Sequence, residues 1–121
     1  FASLRPAGIG NPDLWMSRKD DTGWTDPVRL SSPINTLAIE YQPTFTSDGD
    51  TMYFVSDRDF LGVAIYRSAW QDTVWGTPEL VISGIVGEPS LTADHQLLYF
   101  VHVLSDTAGR YDADVWYTER Q

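Results

Sequence analysis

Carboxylates that fall in close pairs are the groups in this chain with the most obvious chemical potential: Asp20 with Asp21, Asp48 with Asp50, Asp57 with Asp59, and Asp112 with Asp114. Two carboxylates flanking a bond can hydrolyse a glycoside, and several oxygens from one loop can hold calcium. Asp57 and Asp59 are the candidate calcium ligands, and no other cofactor is implied. Glu40 and Glu88, each at the entry to an apolar strand, could present negative charge to a cationic ligand. Five tryptophans invite sugar stacking, because flat rings cover pyranose faces. The two histidines, His95 and His102, lie in no metal-binding spacing, and no Gly-x-Ser-x-Gly elbow is present. Both histidines are therefore read as structural, and no catalytic residue is assigned.

Recurrence filters these candidates. The segment Pro43–Val55 is echoed by Pro89–Val101, 46 residues later. Each copy reads as a strand, a tight turn at aspartate, and a second strand ending Tyr-Phe-Val. Asp48 and Asp94 hold the same place in the repeat. Asp13 and Asp114 share another place, as do Trp15, Tyr66 and Trp116, and as do Trp24 and Trp75. A catalytic group belongs to one repeat, whereas a turn former or a packing aromatic belongs to all of them. The paired aspartates are accordingly read as turn and loop caps, and the recurring aromatics as packing. Trp70 has no aromatic equivalent and is the best candidate for an exposed contact.

The elements behind these residues are strands throughout. Short segments rich in Val, Ile, Tyr, Phe, Trp and Thr alternate with turn residues, and no helical period runs through any window. Met52–Val55 and Leu97–Val101 are apolar on both sides, which suits a sheet sandwiched between two others. A strand-only repeat in the forties means propeller blades. Asp48-Gly49 supplies a tight hairpin turn, whereas His95 replaces the glycine, so its turn is of another type or strained. Phe1-Ala-Ser3-Leu-Arg5 aligns with Phe54-Val-Ser56-Asp-Arg58. The expected organisation is the second half of a blade over 1–35, a complete blade over 36–85, and three strands of a further blade over 86–121. That is all-β: about two and a half four-stranded antiparallel blades, incomplete as a single chain where closed propellers use roughly four to eight. Glu40 and Glu88 would then begin strands lining the central channel. The expectation follows that upstream blades precede Phe1, or that several copies complete one ring.

Bulk properties narrow the partners. The net charge of −9 opposes nucleic acid and anionic lipid. No stretch approaches the ~18 apolar residues of a membrane span, so no membrane insertion is expected. Cysteine is absent, which removes disulfides, thiolate nucleophiles and cysteine-metal sites.

Thr46-Ser47-Asp48-Gly49, Met52–Arg58 with its Ser56-Asp57-Arg58 end, and Asp13-Leu14-Trp15 resemble TolB-type, WD-like β-propeller repeats. The lead-in Pro6–Pro12 and the link Pro33–Asn35 with Glu40 are similar to the variant found on envelope proteins of Gram-negative bacteria. The second copy departs at its end, reading His102-Val103-Leu104. The resemblance is compatible with a non-catalytic platform, periplasmic or exported, whose loops meet a protein, peptide or glycan; Trp70, Glu40 and Glu88, singled out above from the repeat and the strand entries, are the candidate contact residues. Two alternatives stand beside it. One is a segment of a propeller glycosidase or peptidase whose catalytic residues lie elsewhere. The other is a lectin-like ring of partial propellers, self-associating through exposed blade faces.

Overall fold

A computed structural model describes residues 1–60 and 62–120. Every strand pairing in it is antiparallel, and there is no helix among the described residues. The first sheet has the order β1 (Ala2–Ser3), β2 (Asp13–Met16), β5 (Val28–Arg29); β3 (Lys19–Asp20) and β4 (Gly23–Trp24) form a separate ribbon between the last two. The second runs β6 (Glu40–Phe45), β7 (Thr51–Ser56), β8 (Ala64–Gln71), β10 (Glu79–Ile82), with β9 (Val74–Trp75) pairing to the far end of β8. The third runs β11 (Val86–Leu91), β12 (Leu97–Ser105), β13 (Tyr111–Glu119). The fold is all-β, a set of blade-like antiparallel meanders. The registers repeat, since Phe54 faces Tyr66 across β7 and β8 as Phe100 faces Trp116 across β12 and β13.

The middle sheet is buried on both faces, as its two-sided apolar strands require. One side of β7 gives Met52 and Phe54 to a core with Leu14 and Ile34. The other gives Tyr53 and Val55 to a core with Val86, Leu98 and Phe100. A fully buried side chain of this size contributes about 1.5–3 kcal/mol, so these two seams hold the three sheets together.

The hairpin turns are built alike. Thr46 Oγ1 donates to Asp48 Oδ1 at 2.5 Å, and the same Oδ1 accepts the Asp50 N–H at 3.0 Å. Thr92, Asp94 and Gln96 repeat the arrangement at 2.5 and 3.1 Å. His95 does not change the turn type. It takes the left-handed conformation of Gly49, with φ of 58° against 78°, so strain is the alternative realised; its cost is of order 1 kcal/mol or more. His95 Nε2 accepts the Ser47 N–H at 2.7 Å, which ties the turn of one sheet to the turn of the next.

β6 and β11 each carry a bulge before a proline, with the register slipping between Tyr41 and Thr44 and between Gly87 and Ser90. Gln42 and Glu88 take the left-handed conformation at these bulges, with φ of 50° and 54°. The Gln42 side-chain oxygen accepts the backbone N–H of Glu88 at 2.8 Å. A second clasp lies within the first seam, where Asn35 Oδ1 accepts the Leu14 N–H at 2.7 Å and Asn35 Nδ2 donates to the carbonyls of Leu14 and Leu30.

Candidate functional site

Glu40 starts β6 directly opposite Ser56 on β7. Its side chain is fully buried, so it is neither a solvated strand end nor a charge open to a channel. Oε1 accepts from Thr36 Oγ1 at 2.6 Å and from Ser56 Oγ at 3.2 Å, and Oε2 accepts the Thr36 N–H at 3.1 Å. Arg58 Nη2 completes the shell at 3.4 Å. Arg58 also donates to the carbonyls of Pro33 and Ile34, and its guanidinium lies 5.0 Å from the Phe54 ring and 5.1 Å from the Tyr66 ring. Burial pulls the Arg58 pKa below its ordinary value, and the Glu40 charge opposes that pull. A buried carboxylate survives only when paired and hydrogen-bonded, and this one is both.

Asp57 and Asp59 flank Arg58 but diverge. Asp57 Oδ1 accepts the Ile39 N–H at 3.0 Å, fastening the entry to β6. Asp59 Oδ2 accepts the Tyr66 hydroxyl at 2.5 Å. Burial, then that hydrogen bond, pushes the Tyr66 phenol up to about 12. No group of three or more His, Asp or Glu side chains converges among the described residues. Both aspartates therefore have protein partners, and neither joins a third acidic side chain.

Glu88 lies two register positions beyond the place equivalent to Glu40, which Val86 occupies. It is the exposed bulge residue of β11. Trp70 faces Trp75 across the β8–β9 ribbon, edge to face at 5.2 Å, and Trp75 in turn meets Phe45 at 5.9 Å. Trp70 remains 37% exposed, one end of an aromatic row. The structure thus sets Glu40 inside the protein, Glu88 at the seam of the second and third sheets, and Trp70 on the distal ribbon; it does not bring the three together.

Two features were not singled out in the sequence. One is a polar cleft of about 350 Å³ between the second and third sheets, lined by Tyr53, Arg67, Glu79, His95 and Arg120 among others. Arg67 is already engaged there by Glu79 at 3.0 Å. The other is the outer face of the third sheet, where Tyr99 pairs with Tyr117 and Val101 with Val115. The repeat carries the signal for this face. Leu14, Ile65 and Val115 are equivalents, yet the first two are 1% and 0% exposed and Val115 is 73% exposed. Chemistry that is buried in two sheets is open in the third.

No protein-family model, no curated protein and no solved structure matches this chain.

Proposed function

We propose that the chain is a non-catalytic, TolB-type propeller module of the cell envelope or exterior, and that it binds a protein partner through the open face of its third sheet. The observation that carries this reading is the exposure of Tyr99 and Val115 on a face whose counterparts, Tyr53 and Ile65, are core in the second sheet. A contiguous apolar patch marks an interaction surface. The acidic groups support the same reading. Asp13, Glu40, Asp57 and Asp59 are taken up by backbone and side-chain donors, and Asp20, Asp48, Asp94 and Asp106 cap turns. Trp70 offers a second, smaller aromatic contact.

The test is a selection of displayed proteins against the immobilised chain, followed by amide exchange on the complexes. Ligands that protect β13 and lose binding with Val115→Lys support the reading. Turnover of glycoside or peptide substrates that vanishes with Asp57→Asn or Asp59→Asn would overturn it. Sedimentation of the chain alone distinguishes a second copy on this face from a different partner.

A further inference from the structure

Among the described residues, two side-chain hydrogen bonds cross the seam between the second and third sheets, and they differ in chemistry. At the bulges, the Gln42 side-chain oxygen accepts the Glu88 N–H at 2.8 Å. At the hairpin turns, farther along the same strands, His95 Nε2 accepts the Ser47 N–H at 2.7 Å. A side-chain amide accepts whatever the pH. An imidazole nitrogen accepts only while it carries no proton, so the second bond belongs to the neutral ring, whose one proton sits on Nδ1. Once the ring is charged, Nε2 is a donor facing a donor.

The surroundings admit that charge. His95 is half-buried where the cleft between the two sheets meets the turns. Asp48 in the opposed turn and Asp94 in its own turn are both held below their ordinary value, first by the Thr46 and Thr92 hydroxyls and in smaller part by the His95 charge. The remaining charges lining the cleft come in opposite signs, Arg67 bonded to Glu79 at 3.0 Å and Glu119 next to Arg120 in the chain. Protonation therefore ends the bond to Ser47 but leaves the cation among carboxylates. The residue type also matters for the backbone. The sister turn uses Gly49, and His95 holds the same left-handed conformation at φ 58°, which strains a side chain and not a glycine. Glycine would suit the turn better and would have no hold on Ser47.

We propose that His95 is an acid-released latch. While neutral, it fastens the turn at Asp48 to the turn at Asp94. On protonation it lets go of Ser47, and the cleft loosens at that end, while the Gln42 bond and the core of Val55 and Val86 keep the two sheets joined beyond it.

The test is NMR of the whole chain across about pH 8 to 5, the range of histidine chemistry. The His95 ring shifts give its own titration. A nitrogen–nitrogen coupling through the hydrogen bond joins Ser47 N to His95 Nε2 only while the latch is shut. Amide exchange of Ser47, corrected for the intrinsic rate at each pH, reports local opening, and the Glu88 amide is the reference. Ser47 protection should fall roughly fivefold, the net worth of one hydrogen bond, at the midpoint of the His95 titration, with Glu88 level throughout. In His95→Gly, Ser47 should stay at the low level at every pH. Spin labels on Asp50→Cys and Gln96→Cys, unique sites in a chain without cysteine, read the cleft. Their separation should broaden in acid when His95 is present and be broad at every pH in His95→Gly. A coupling that persists once His95 is charged, a Ser47 loss that follows the carboxylates instead, the same loss in His95→Gly, or a label separation indifferent to pH would overturn the proposal. If the substituted chains do not fold, the coupling and the exchange in the unaltered protein decide it.

Discussion

Removing Arg58 alone should cost far more stability than removing it together with Glu40. Glu40 is fully buried and the Arg58 side chain is 13% exposed, so the pair sits in a poorly solvated interior. Arg58→Leu leaves the carboxylate desolvated with only Thr36 and Ser56 as donors. It also strips the Pro33 and Ile34 carbonyls of theirs. Breaking one side of a buried pair costs about 3–5 kcal/mol, a large part of the ~5–15 kcal/mol that holds a domain folded. Glu40→Val with Arg58→Leu instead imports the pair that the third sheet already uses, Val86 and Leu104. Exchanging a buried pair for packed apolar groups is close to neutral, or stabilising by about 1–4 kcal/mol. Equilibrium urea unfolding reads both. With a slope of about 2 kcal/mol per molar, a loss of about 4 kcal/mol moves the midpoint down by about 2 M. The double variant should recover most of that loss. The reasoning fails if Arg58→Leu shifts the midpoint by less than about 0.5 M, as for an exposed pair, or if the two substitutions simply add.

Gly10 is packed so closely beneath the backbone carbonyls of Ala38 and Thr36 that a Cβ there would collide with both; Gly10→Ala should lower the midpoint of thermal unfolding by several degrees, whereas Gly49→Ala meets no atoms and suffers only from its positive φ. Asp48 and Asp94 are held below their ordinary value of 3.8, first by the Thr46 and Thr92 hydroxyls. Groups depressed in the folded state stabilise it above their unfolded value and lose that contribution as pH falls through the folded one. Thermal stability should therefore drop below about pH 4, and an Asp48→Asn, Asp94→Asn protein should show a shallower acid slope. The Tyr66 phenol, raised to about 12, stabilises fully below its unfolded value near 10 and ceases to as pH rises through 12; Tyr66→Phe should remove one late-titrating phenolate from the absorbance curve. Trp70→Ala should cost about 1 kcal/mol, the worth of one edge-to-face pair, with little change in the exchange of β7.

The repeat made the all-β fold and the equivalence of strands between sheets legible in the sequence. Aligning Phe1, Ser3 and Arg5 with Phe54, Ser56 and Arg58 anticipated two side-chain arrangements that agree to within a few tenths of an ångström. Two-sided apolar strands likewise announced a middle sheet buried on both faces. Glu40 was not legible in the same way. Its partner lies 18 residues away across a hairpin, and the third sheet conceals the pattern by replacing all three members at once. Trp70 read as isolated because its partner Trp75 pairs across a two-residue loop, while the repeat sets Lys19 against Trp24 there. The left-handed bulges at Gln42 and Glu88 were hidden because nothing in a glutamine or a glutamate announces positive φ, and a following proline restricts that residue in other ways.

The bond from Gln42 to the Glu88 backbone bears on how such a chain can grow by duplication. Hook and eye sit at the same place in successive units, 46 residues apart, so a duplicated unit would arrive with both halves of its fastening. No mutation would be needed at the new junction, and a gene could lengthen by whole units without passing through an unfastened form.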